Sequence, residues 1–314
     1  MLTIPRRRTK TKNNKNQILR GHYKDALFFY AKRFNMWIWL VLLYGLLKGG
    51  REIVKKKSLE KNTVLEVLIL YTLLSFIIVL PGIKEAMHVD WIFLLPIAFK
   101  SLIIFIAWIL SFKAIKQMPV SLYGVIDLSR VVFASALGII ILHEEMTLTT
   151  IIGSVLVCVG VLLCERKKNL KDEKVSFKIV CFTMISCLFN AISGVMDKIL
   201  TKHVSSNQLQ FWYMLFMVLY YIIFIIVTRE KIKFKSAIKN YWIWILAIMF
   251  VIGDRALFIA NSMPESRVTV MTLIKQSCCL VTILAGKFIF KEKNITYKLV
   301  CALIIIIGIF IAVL

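Results

Sequence analysis

From Met36 to the end of the chain, apolar runs of about 17–25 residues recur, separated by short charged turns. They fall near 36–55, 63–83, 91–112, 119–142, 148–165, 177–198, 208–228, 241–261, 266–290 and 296–314. Each run is long enough to cross a bilayer as a helix, and a helix satisfies its own backbone groups there. The pattern predicts an all-α integral membrane protein of ten transmembrane helices. The fourth and ninth runs are each entered through Met-Pro, which places a proline in the first helical turn, where its missing N–H costs nothing.

Those two steps, Met118-Pro119 and Met263-Pro264, lie 145 residues apart. The same offset pairs Gly49 with Gly194, Glu52 with Asp197, Asn62 with Asn207, Ser121 with Ser266, Val125 with Val270 and Arg130 with Lys275. A constant offset indicates an internal duplication. Five helices per copy is odd, so the second copy enters the membrane in the opposite sense. Two inverted five-helix repeats are the predicted architecture, with a substrate site at mid-depth between them. The chain then divides into a basic N-terminal tail (1–35), a first repeat (36–165), a basic linker (166–176) and a second repeat (177–314). Residues 1–20 are expected to be disordered, Gly21 to Arg33 to form an interfacial helix, and no signal peptide is expected.

Loop charges follow the inversion. The turn after the first helix carries Arg51, Lys55, Lys56, Lys57 and Lys61, while its equivalent holds Lys198 and Lys202. Conversely, 84–90 holds Lys84 alone, whereas 229–239 holds Arg229, Lys231, Lys233, Lys235 and Lys239. Basic loops after helices one, five and seven put that side in the cytoplasm; the basic N-terminal tail argues for the other.

A net charge of +24 would suggest nucleic acid in a soluble chain, but here 59% of residues are hydrophobic and mean hydropathy is +0.79. The expected partners are the lipid bilayer of the cell membrane and a small-molecule substrate, with a homodimer as the candidate assembly and no nucleic acid. All seven cysteines sit in apolar runs, where a thiol is a small hydrophobe. The four histidines form no HxxxH or HxxE group, and the acidic pairs Glu144–Glu145 and Asp172–Glu173 read as solvated loop residues. No metal, cofactor or catalytic constellation is therefore expected, nor is enzymatic activity. No GxxxxGK[ST] loop occurs, so energy would come from a gradient.

The segments KQMPVSLYGVIDLSRVVFASALGIIILHEEMTLTTIIGSVLVCVGVLL and ANSMPESRVTVMTLIKQSCCLVTILAGKFIFKEKNITYKLVCALIIIIGIFIAVL share one pattern: a proline-led helix, an acid just past it (Glu145, Glu292), then a Gly-bearing final helix. With the ten-helix double repeat, this resembles the drug/metabolite transporter superfamily in its branch with two EamA-type domains, over roughly 36–314. The resemblance implies a secondary transporter working by alternating access. It does not fix a substrate, because the superfamily carries amino acids, sugar phosphates, nucleotide sugars, amines and drugs.

Charges inside the spans are the candidate site, since a lysine or arginine at mid-bilayer costs about 2.5–3.5 kcal/mol on insertion scales and seldom faces lipid. Arg130 and Lys275 are repeat mates at mid-depth. Tyr123, Asp127 and Arg130 share one face of helix four, and Lys275 and Gln276 lie on helix nine. Lys100, Asp254 and Arg255 complete the predicted substrate contacts. Lys48, Arg51, Glu52 and Asp197 are candidates for coupling or gating. Arg130 could instead be neutralised by Asp127, and the helix-end charges could snorkel. Phe105, Trp108 and Phe112 read as lipid or bundle packing, not as a cage. Deep cations (Lys48, Arg51, Lys100, Arg130, Arg255, Lys275) outnumber deep anions (Glu52, Asp127, Asp197, Asp254) by two, which favours an anionic substrate bearing a phosphate or carboxylate. The position of Arg130 and Lys275 is also similar to the phosphate-binding arrangement of sugar-phosphate translocators. The alternative on the same fold is an exporter of amino acids or of cationic or amphipathic compounds. Helices five and ten carry no charge and are expected at the periphery or a dimer contact, away from the cavity.

Overall fold

The computed structural model describes residues 36–117, 123, 127, 129–166, 176–278, 281 and 295–313. The N-terminal tail with its expected interfacial helix, the centre of the linker, and Met118-Pro119 lie outside the described residues.

Ten helices are labelled in chain order. The first repeat has α1 (36–59), α2 (Val64–Val79), α3 (Leu94–Gln117), α4 (Ser129–Leu142, with Tyr123 and Asp127 also helical) and α5 (Leu148–Arg166). The second has α6 (Phe177–Leu200), α7 (Ser206–Thr228), α8 (Tyr241–Asn261), α9 (Val268–Lys275) and α10 (Ile295–Val313). No strand occurs among the described residues. The stretches 64–86, 91–117, 177–200, 206–228 and 241–261 are each long and apolar enough to cross a membrane.

Helix contacts respect an exchange of the two repeats. α3 packs on α7 as α8 packs on α2, and α2 touches α3 as α7 touches α8. The self-equivalent pairs α2·α7, α4·α9 and α5·α10 meet across the pseudo-twofold axis. Each repeat holds an odd number of crossings, so that axis lies in the membrane plane.

Local sequence explains the ends. Thr63 and Glu66 form a capping box on α2, and Ser205 and Gln208 form the equivalent one on α7. At α5·α10, a Cβ on Gly153 would lie 2.5 Å from the Gly308 carbonyl oxygen, so only paired glycines let these backbones meet.

Several expectations change. α1 continues past residue 55 to 59, which keeps Lys55 on a helix and on the wall of the cavity described below. Pro264 lies in the turn ahead of α9, which starts at Val268, and not in the first helical turn. Glu144 is half-buried and not a solvated loop acid: its carboxylate accepts the backbone N–H groups of Val268 (2.5 Å) and Thr269 (3.1 Å), capping α9 of the other repeat.

Candidate functional site

A cavity of about 130 Å³ lies between the repeats. Its wall comes from α1, α2, α3 and α4 and from their mates α6, α7, α8 and α9; no described residue of α5 or α10 reaches it. The wall repeats itself. On α1, Lys48, Arg51, Glu52 and Lys55 correspond to Asn190, Ser193, Gly194 and Asp197 on α6, a shift of 142 residues. On α3, Lys100, Ile104, Trp108, Ser111 and Phe112 correspond to Leu246, Phe250, Asp254, Leu257 and Phe258 on α8, a shift of 146. Tyr71 and Tyr213 are 142 apart, whereas Tyr123 and Val268, like Arg130 and Lys275, are 145 apart. The offset is therefore not constant. Loops of unequal length absorb the difference, and the mate of Glu52 is Gly194 while that of Asp197 is Lys55.

Most matching positions carry unlike residues, so backbone symmetry encloses an asymmetric charge pattern. Six cations reach the wall among the described residues (Lys48, Arg51, Lys55, Lys100, Arg130, Lys275), against three carboxylates (Glu52, Asp197, Asp254). Asp127 stands immediately behind, accepting from Arg130 Nη2 at 2.7 Å and from Lys48 Nζ at 3.1 Å, with Cys187 Sγ at 3.5 Å. Lys100 Nζ lies 2.8 Å from Asp197 and is held 3.8 Å from the Tyr213 ring centroid and 4.9 Å from that of Phe258. Lys55 pairs with Glu52 at 3.0 Å. Arg51 pairs with Asp254 at 3.5 Å and lies over the rings of Tyr44 and Phe250. Aromatic faces offset part of the dehydration these cations suffer on burial.

Lys275 differs from the rest. It has no carboxylate within 4.0 Å among the described residues, and its ammonium lies 5.6 Å from the Tyr44 ring centroid. It ends α9, where the chain tightens: the N–H groups of Gln276 and Ser277 bond three residues back, to Leu273 and Ile274. Gly45 and Gly49 of α1 meet this turn closely, since a Cβ on Gly49 would sit 2.6 Å from the Cys278 carbonyl oxygen.

Of the residues singled out from sequence, Arg130, Lys275, Tyr123, Lys100, Asp254, Lys48, Arg51, Glu52 and Asp197 share this wall. Three do not. Asp127 lies behind it. Gln276 is buried off the wall, one residue after Lys275, with its side-chain nitrogen unpartnered. Arg255 points outward from α8, donating to Asn207 Oδ1 at 2.8 Å and Gln210 Oε1 at 3.4 Å, and so braces α8 to α7. Arg130 is both paired with Asp127 and on the wall. Trp108 and Phe112 line the cavity, contrary to the packing expected; Phe105 packs against Tyr220, Tyr221 and Phe224. Sequence reasoning missed Lys55, read as a loop residue, and Tyr71 and Tyr213, whose ordinary apolar surroundings give no signal. It also missed Lys198, which holds the end of α6 to the α8–α9 turn by donating to the carbonyls of Asn261 (3.1 Å) and Met263 (2.7 Å) and to Ser266 Oγ (2.6 Å).

One solved structure, described only as a crystal structure of a protein, superposes with a TM-score of 0.68 at 12% identity, covering 90% of this chain and 96% of its own. At that identity the likeness bears on the fold alone. Among curated proteins no match was found. The family model for EamA-like transporters, however, matches residues 35–165 and again residues 177–314, one copy on each repeat around the cavity, and the chain belongs to the EamA-like transporter family.

Proposed function

We propose that this membrane transporter moves a small anion, one bearing a phosphate or carboxylate, across the cell membrane by alternating access driven by a solute or ion gradient. The observation that carries the reading is Lys275: a cation on the cavity wall without an ion-pair partner among the described residues, beside Lys48 and Arg130, which share the single carboxylate of Asp127. An anion entering there replaces water with charge-assisted hydrogen bonds. Arg130 reads a flat oxyanion through its fork, and Lys275 supplies a point charge.

Export of an amine or other cation would need an available carboxylate. Glu52, Asp127, Asp197 and Asp254 each already hold a cation, which weighs against that reading. Tyr44 and Trp108 offer the uncharged part of the substrate an apolar wall. The test is uptake or counterflow of radiolabelled phosphorylated and carboxylated metabolites into proteoliposomes, compared with Lys275→Met. Transport of at least one anion that the variant abolishes is expected; transport confined to amines overturns the reading.

A further inference from the structure

Each repeat carries a short surface segment between its second and third membrane helices, residues 80–93 in the first and 229–240 in the second. Each contains a short helix, Ile83–Ala86 or Phe234–Ile238. Each also presents large apolar side chains outward: Met87 is 56% and Trp91 82% exposed in one, Phe234 43% and Ile238 49% in the other. Because the repeats are inverted, the two segments lie on opposite faces of the membrane.

Their apolar character matches, but their charge does not. The first segment has Lys84 against Glu85 and Asp90, whereas the second has Arg229, Lys231, Lys233, Lys235 and Lys239 against Glu230. All five cations are exposed, and none has a carboxylate within 4.0 Å among the described residues. The segment is nevertheless held in place. Glu66 of α2 accepts the backbone N–H of Lys233 at 3.1 Å, and Asn240 Nδ2 donates to the Ser58 carbonyl at 3.1 Å and to Asn62 Oδ1 at 2.9 Å. This fixes the cations beside the end of α1, where Lys56 and Lys61 extend the same charge.

A row of cations interleaved with exposed phenylalanine and isoleucine fits the boundary between headgroups and acyl chains, where ammonium groups meet phosphates and apolar side chains enter the hydrocarbon. A soluble polyanion would use the cations and leave Phe234 and Ile238 in water. We propose that the 229–240 segment is a docking surface for anionic lipid headgroups. It thereby turns this face, where Lys55 and Glu52 rim the cavity, toward the anionic cytoplasmic leaflet and places the start of α1 and the end of α10 on the other side. Within about 20 residues of α1 along the sequence, the span over which flanking charge counts, the basic N-terminal tail opposes this with Arg20, Lys24, Lys32 and Arg33, fewer cations than the opposite face carries.

The test has two arms. The purified transporter and a variant with Lys231, Lys233, Lys235 and Lys239 all changed to Gln are compared by native mass spectrometry for retention of phosphatidylglycerol against phosphatidylcholine. Wild type is expected to prefer phosphatidylglycerol, the variant to bind it at least about tenfold more weakly, and Lys84→Gln to behave as wild type. Unchanged retention in the variant, or displacement by inorganic phosphate or a short oligonucleotide, overturns the proposal. In the second arm, Lys235→Cys and Met87→Cys are exposed to a membrane-impermeant maleimide in intact cells, with the parent protein as blank. Labelling at position 87 alone is expected; labelling at position 235 alone contradicts the orientation.

Discussion

Arg130 on α4 and Lys275 on α9 occupy the same place in the two repeats, 145 residues apart, and both reach the central cavity, yet among the described residues only Arg130 of the two has a carboxylate within 4.0 Å. The first repeat offers Asp127 one turn earlier; the second has Thr272 there, its hydroxyl spent on the Val268 carbonyl. The duplicated frame thus places two cations alike and compensates only one.

Neither cation should be needed for folding. Lys275→Met removes a charge with no ion-pair partner among the described residues, and Arg130→Met leaves Asp127 paired with Lys48 at 3.1 Å. Both variants should insert and melt within about 1 kcal/mol of wild type, while anion transport falls to background in each. Loss of fold in both would make the charges structural; thermal unfolding in detergent beside a proteoliposome flux assay separates the outcomes.

Asp127→Asn should behave oppositely. Lys48 and Arg130 would then be left in a confined site without their shared anion, and breaking such a buried pair costs roughly 3–5 kcal/mol. A melting temperature much lower than that of Arg130→Met is expected. Equal stability of the two variants would mean that water in the cavity, not Asp127, carries the compensation.

The ten spans and the duplication were legible because a bilayer demands long apolar runs and both halves keep the same five. The register between halves was not. Met-Pro steps align only α4 with α9, and along α1 and α6 a slip of three residues still matches a glycine with a glycine and an acid with an acid. The cavity wall removes that ambiguity by joining Lys55, not Glu52, to Asp197. Arg255 illustrates a second limit: it follows Asp254 by one residue, about 100° around the helix, and so leaves the wall that Asp254 joins. Gln276 follows Lys275 by one residue and leaves the wall in the same way.

Gly194 marks the open space itself. A Cβ built there has no atom within 4 Å, although Gly194 is in mid-helix and on the cavity wall. Gly194→Leu should therefore fold as well as wild type, or better by roughly 0.5–1 kcal/mol as helical entropy is recovered, while its side chain blocks transport. Gly49→Leu gives the contrast: its Cβ would meet the Cys278 carbonyl oxygen and the Val281 side chain, so loss of stability is expected. Expression and melting curves, with flux for Gly194→Leu, check both.

Glu144 ties the repeats together at the start of α9. Glu144→Ala removes a cap across the repeat boundary and should cost about 1–2 kcal/mol, whereas Glu145→Ala, on the exposed neighbour, should change the melting temperature little. Equal effects at the two positions would indicate that the carboxylate of Glu144 is not the tie.

The most direct test of the anion site is a thermal-shift screen of the purified transporter against phosphorylated, carboxylated and amine metabolites, run in parallel on wild type and Lys275→Met. A ligand that binds the folded state alone stabilises it by about 2.7 kcal/mol at a hundred times its Kd. At least one phosphate- or carboxylate-bearing compound should raise the melting temperature of wild type and leave that of Lys275→Met unmoved. Stabilisation by amines alone, or an equal response of the variant to the same anion, would contradict the account.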